Sequence, residues 1–118
     1  MVKTDYSREV SGNKVTEVVH LSRATKENAE EFKKILLNDI EKGFSKIIVD
    51  LSACMFMDST FLSSLVIALK SLSKTGGGLK LVASHPDTLA ILELTGMVKV
   101  FEIFKSKEDA LKSFSTIK

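Results

Sequence analysis

The sequence predicts an α/β fold in the order ββαβαβαβα: a mostly parallel sheet of about five strands, entered through an N-terminal hairpin and connected by right-handed crossovers through about four helices. Three observations carry this. The runs Ile47-Ile48-Val49 with Leu51, and Leu79 to Ala83, are nearly continuous and apolar, as in strands covered on both faces. Around them, apolar residues recur at the three- and four-residue spacing of amphipathic helices. Turn formers separate the segments, and no Pro- or Ser-rich linker, charge block or internal repeat divides the chain, so residues 1–118 are expected to form one domain.

Asp5 to Val10 and Val15 to Leu21 flank the turn cluster Ser11-Gly12-Asn13, which reads as a β-hairpin. Thr25 is placed to cap a helix whose apolar stripe is Ala29, Phe32, Leu36 and Ile40, broadened by Ile35 and Leu37 and stopped at Gly43. The strand at Ile47 should be central. Phe61, Leu62, Leu65, Val66, Leu69 and Leu72 mark the second helix, and Gly76-Gly77-Gly78 ends it. Pro86 suits the first turn of a third helix capped by Ser84 or His85, with Leu89, Ile91, Leu92 and Leu94 as its apolar face and Gly96 at its left-handed end. Val98, Val100 and Ile103 alternate as a strand, and Ser106-x-x-Asp109 opens a last helix with Ala110, Leu111, Phe114 and Ile117 inward.

Composition narrows the function. The chain has 118 residues, and its 44% hydrophobic content suffices for a core. Seventeen Lys and Arg against fifteen Asp and Glu give a net charge of +2, alternating in sign along the chain, so no direct nucleic-acid contact is expected. One cysteine and two histidines provide neither an internal disulfide nor a Cys/His metal quartet, and no metal or cofactor is expected. The longest apolar run, Leu65 to Leu69, is far below the roughly 18 residues of a membrane span. Lys3, Asp5, Arg8 and Glu9 stand where a signal peptide would be apolar. A soluble, unexported protein of a reducing cytoplasm, with no membrane partner, is the expectation.

Several segments invite a chemical reading. Lys74-Thr75-Gly76-Gly77-Gly78 lacks the strand-to-helix placement of a phosphate loop and reads as a helix end. Cys54, inside Ala53-Cys54-Met55-Phe56-Met57, reads as a small buried hydrophobe, and the two methionines and Phe56 as mostly core. His20 and His85 read as structural or solvated. At Asp58-Ser59-Thr60 an acid and two hydroxyls meet a strand-to-helix junction, where Asp58 or Ser59 can cap the helix. That junction lies outside the carboxyl end of a central strand, where ligands and partners meet open α/β sheets, so Ser59 or Thr60 is also a candidate phosphoacceptor.

From Lys46 to Phe114 the chain resembles the STAS domains of the bacterial anti-sigma factor antagonists. The resemblance is carried by Val49-Asp50-Leu51-Ser52, then Phe56-Met57-Asp58-Ser59-Thr60-Phe61-Leu62, then Gly76-Gly77 with Leu79 to Val82. It continues through Leu92-Glu93-Leu94-Thr95-Gly96 and Val100-Phe101-Glu102-Ile103-Phe104 to Ser106–Ala110. It implies a non-enzymatic binding module: unphosphorylated, it binds an anti-sigma factor that is often also a serine protein kinase, and so frees a sigma factor. Ser59 is the implied phosphorylation site, and Asp58, Ser59, Thr60 and Phe61 the implied partner-binding residues. A scaffold or sensor subunit, with Ser59 only a helix cap, is the alternative. Two departures stand out. Phe61 replaces the family's usual glycine, with Ser63 two positions on, and Ser22-Arg23-Ala24-Thr25 carries no acid where many relatives have one. Phe61 begins the apolar stripe of Leu65 and Leu69, so it is either buried against the sheet or turned outward beside Ser59 as an apolar anchor; because the family needs no side chain at position 61 for its core, the outward placement is favoured.

Overall fold

In the computed structural model, which describes residues 5–115, Ile47, Ile48 and Val49 are wholly buried. Their strand lies at the centre of a five-stranded sheet. The elements are β1 (Tyr6–Ser11), β2 (Lys14–Val19), β3 (Arg23–Ala24), α1 (Lys26–Glu41), β4 (Lys46–Asp50), β5 (Phe56–Met57), α2 (Ser59–Ser73), β6 (Gly78–Val82), α3 (Pro86–Leu94), β7 (Ile103–Phe104) and α4 (Lys107–Ser115). The sheet order is β1-β2-β4-β6-β7, with β1 antiparallel to β2 and every other pair parallel. The α/β class, the opening hairpin, the mostly parallel sheet and the four helices agree with the sequence.

Alternation along the strands divides the interior into two layers. Val15, Ile47, Val49, Leu79 and Leu81 belong to the main core with Phe32 and Leu36 of α1 and Phe61, Leu65 and Leu72 of α2. Ile48 and Val82, of opposite parity, pack with Ala110, Leu111, Phe104 and Phe114, so α4 covers the other face. At the hairpin, Ser11 pairs with Lys14 across Gly12-Asn13, and Gly12 takes the left-handed φ of 62° that this two-residue turn requires.

Three local differences from the sequence reading have physical causes. After Gly96, at φ 77°, the chain enters a 3₁₀ turn over Met97–Lys99 instead of a strand, with the Phe101 amide donating to the Met97 carbonyl. This rotates Phe101 into the core and leaves Val98 and Val100 exposed; pairing with β6 begins only where Leu81 N–H donates to the Glu102 carbonyl. On α3, Leu94 is 86% exposed and Thr88 is buried in its stead, its hydroxyl donating to the Cys54 carbonyl. Two-residue strands β3 and β5 add a parallel ladder beside the main sheet, Arg23 opposite Phe56 and Ala24 opposite Met57. Lys3, and Ile117, expected on the inner face of α4, lie outside the described residues.

The glycine run is a helix end. Gly76, at φ 81°, donates to the Ser73 carbonyl and Gly77 to that of Leu72, the paired bonds of a Schellman motif. Gly77 also admits the backbone of the loop before β4: a Cβ there would stand 2.5 Å from the Ser45 carbonyl oxygen. Gly77→Ala should therefore cost about 1–3 kcal/mol through forced repacking, read as a lower urea midpoint at unchanged slope; an unchanged midpoint would contradict the close approach.

Candidate functional site

The β3–β5 ladder sets two strand-to-helix junctions side by side. Met55 and Phe56 amides donate to the Ser22 carbonyl at 2.8 and 3.2 Å, and the Asp58 amide donates to that of Ala24 at 3.1 Å. Each junction therefore ends at the same level: Ala24-Thr25 enters α1 and Met57-Asp58 enters α2. Thr25 N–H donates to Asn28 Oδ1 at 3.1 Å, half of a capping-box exchange.

Asp58 is the N-cap of α2, with Oδ1 accepting from the Phe61 amide at 2.9 Å. Its other oxygen, Oδ2, accepts from the amide of Lys26, the first residue of α1, at 2.8 Å. One carboxylate thus closes the first turns of two helices, each of which presents the positive end of its dipole there. A single cap of this kind is worth about 0.5–2 kcal/mol. Next to it, Ser59 is the first residue of α2 and is exposed; its side chain makes no hydrogen bond among the described residues, while its carbonyl accepts from Ser63 Oγ at 2.9 Å. Thr60 is exposed on the same turn. The structure thus brings Asp58, Ser59 and Thr60 together on one accessible helix end.

Phe61 is not part of that surface as an outward anchor. Its side chain has no solvent exposure and stacks on Phe32 of α1, centroids 5.3 Å apart, and Phe32 in turn stacks on Tyr6 of β1 at 5.2 Å. The reason is helical phase: position 61 shares the inward stripe of Leu65 and Leu72, and the space between α1 and α2 takes a ring. Met57 is core, as expected, but Met55, which precedes β5, is 47% exposed, and Phe56, on the opposite face of β5 from Met57, is half-buried. The Arg23 guanidinium lies over the Phe56 ring, 4.4 Å from its centroid. Arg23, Met55 and Phe56, with Ser22, Asp87, Ala90 and Ile91, line an open cleft of about 530 Å³ next to the junctions.

The remaining candidates are structural. Cys54 is buried, its Sγ donating to the Phe56 carbonyl, and burial pushes its thiol pKa up, away from a reactive thiolate. His85 caps α3, Nδ1 accepting from the Asp87 amide at 3.1 Å; the exposed His20 hydrogen-bonds with the Ser7 hydroxyl. Sequence reasoning missed the second helix that Asp58 caps and the Arg23–Phe56 stack. A signal existed in the repetition of one pattern, small or apolar residue, cap, helix start, at Ala24-Thr25-Lys26 and Met57-Asp58-Ser59.

Residues 22–110 match the family profile described as the STAS domain. A protein of Thermotoga maritima, assigned as an anti-sigma factor antagonist, is 33% identical over 87 residues, which cover 73% of this chain and 77% of that one. BtrV of Bordetella bronchiseptica, assigned the same way, is 27% identical over 89 residues, 75% of this chain and 77% of its own. The crystal structure of a Thermotoga maritima protein so assigned superposes with a TM-score of 0.84 at 26% identity, covering 94% of this chain and 95% of that one.

Two substitutions check this geometry. Asp58→Ala removes both caps and should cost about 1–4 kcal/mol, more than a single cap, whereas Asp58→Asn, which keeps one carbonyl acceptor, should cost less; equal losses in urea melts would contradict the double cap. Phe61→Ala should cost about 3–5 kcal/mol, as for a buried aromatic, and a stability near that of the unsubstituted chain would overturn its placement.

Proposed function

The chain belongs to the STAS domain family, and from that premise we propose that it is an anti-sigma factor antagonist, a cytoplasmic binding module without catalysis of its own, switched by phosphorylation of Ser59. In the unphosphorylated state it binds an anti-sigma factor that is also a serine kinase, and so releases a sigma factor. The observation that supports this reading is the Asp58–Ser59 pair: an exposed hydroxyl with no partner among the described residues, held at a helix start by a neighbour fixed on both sides. The relatives' assignments point the same way.

The geometry explains why such a modification would switch binding without unfolding the domain. Phosphate adds about −1.5 to −2 charges and three acceptor oxygens. At a helix N-terminus the dipole and free amides favour such a group, so the fold tolerates it. Asp58 cannot swing away from it without uncapping α1 and α2. A dianion beside a fixed carboxylate is costly to desolvate, and losing about 3 kcal/mol at a contact weakens it roughly a hundredfold. The contact surface consists of Asp58, Ser59 and Thr60, with Phe61 acting from beneath by holding α2 against α1.

Incubation with the cognate anti-sigma kinase and ATP should add one phosphate, mapped by mass spectrometry to Ser59 and lost in Ser59→Ala. Full incorporation in that variant would sink the assignment. By calorimetry Ser59→Ala should bind the partner like the unsubstituted chain and Ser59→Asp roughly a hundredfold more weakly; equal affinities would favour a scaffold in which Ser59 only begins a helix.

A further inference from the structure

Position 17 lies on the inward face of β2, between Val15 and Val19, and yet the residue there is a glutamate. Glu17 is 2% exposed, and Asp39, which meets it from the C-terminal half of α1, is 1% exposed. Two buried carboxylates require compensation. Among the described residues the one cation bonded to them is Arg8 of β1: its Nε lies 3.1 Å from Glu17 Oε2 and 3.2 Å from Asp39 Oδ1, and its Nη2 lies 2.7 Å from the same Asp39 oxygen. The guanidinium is itself half-exposed, its Cζ 5.3 Å from the centroid of the Phe44 ring.

With both carboxylates ionised, one negative charge would be left over in the interior. The unpaired oxygen is visible: Asp39 Oδ2 is buried without a hydrogen-bond partner among the described residues, and the Tyr6 hydroxyl is likewise buried and unpaired. Tyr6 and Arg8 from β1, Asn38 and Asp39 from α1, and Lys42, the residue that follows α1, surround Glu17 in a cleft of about 300 Å³, while β4 sets the uncharged Val49 opposite it. We propose that Glu17 and Asp39 hold one proton between them in the folded domain, so that the N-terminal hairpin is fastened to α1 by a proton-dependent latch that loosens when the proton leaves.

Burial first, then the hydrogen bond and like charge of Asp39, push the Glu17 carboxyl up to about 8 against the opposing pull of Arg8. Burial and the charges of Glu31 and Asp5 push Tyr6 up to about 12, so its hydroxyl stays neutral throughout this range. A carboxyl whose folded value lies above its unfolded value near 4.5 keeps a proton that the unfolded chain has released. Its contribution therefore falls as pH rises from that unfolded value to about 8, and levels off above it. This is opposite in sign to an ordinary salt-bridged carboxylate.

Urea unfolding of the whole chain between about pH 5.5 and 9.5, beside Glu17→Gln, tests the latch. The unfolding constant of the unsubstituted chain should rise by up to about tenfold per pH unit below pH 8 relative to the variant; parallel pH profiles would overturn the proposal. Carbon NMR of the Glu17 carboxyl gives a readout that needs no variant: a midpoint well above the ordinary glutamate range supports the shared proton, and an ordinary one overturns it. At one alkaline pH, amide exchange across Ser7 to Val10 should be several-fold faster in the unsubstituted chain than in Glu17→Gln, and equal rates would overturn the loosening.

Discussion

A helix begins with amides that have no partner in the helix itself, and here two helices bring that deficit to the same place. The Asp58 carboxylate answers both, one oxygen to each. For this to happen, the chain must reach the start of α1 and the start of α2 at the same height and a few ångströms apart. The short β3–β5 ladder enforces it, since its register aligns Ala24 with Met57, one residue before each cap. The parallel arrangement of β2 and β4 provides the same alignment below. Register, ladder and carboxylate are one constraint expressed at three levels.

Rigidity at that point shapes what the exposed residues can do. Ser59 and Thr60 begin a helix whose first turn is closed by Asp58 and whose inner side is packed by Phe61 against Phe32. A partner docking there would meet a preformed surface, and little conformational freedom would be lost on binding. The flanking cleft, with Met55 exposed and Arg23 laid over Phe56, adds adaptable and aromatic surface at the same end of the sheet. The opposite end of α1 carries a different kind of chemistry, in which charge is hidden instead of displayed.

Much of this was legible in the residues. The apolar runs of β4 and β6, the helical stripes, the hairpin turn and the acid-hydroxyl junction all follow from local periodicity and capping chemistry, which depend on near neighbours in sequence. What local pattern could not reveal depends on tertiary pairing. Val98 and Val100 alternate like a strand, but Gly96 diverts the chain into a 3₁₀ turn and Phe101 takes the interior position. Phe61 begins an apolar stripe, as its spacing shows, and only the space under α1 decides that its ring turns in. The ladder of two-residue strands and the second cap made by Asp58 join residues some thirty positions apart. Likewise Glu17 interrupts the apolar half of its strand, between Val15 and Val19, and nothing in the local pattern accounts for it until Asp39 and Arg8 are brought to it.

The stack of Tyr6, Phe32 and Phe61 has an optical consequence. The chain contains no tryptophan and a single tyrosine beside seven weakly emitting phenylalanines, so its intrinsic ultraviolet emission is dominated by one ring. That ring lies against Phe32 where the hairpin meets α1, and the next ring in the row belongs to the turn that carries Ser59. The protein is thus naturally labelled with one tyrosine, at the seam between its hairpin and its paired helices, and its emission spectrum reports on that seam before it reports on anything else.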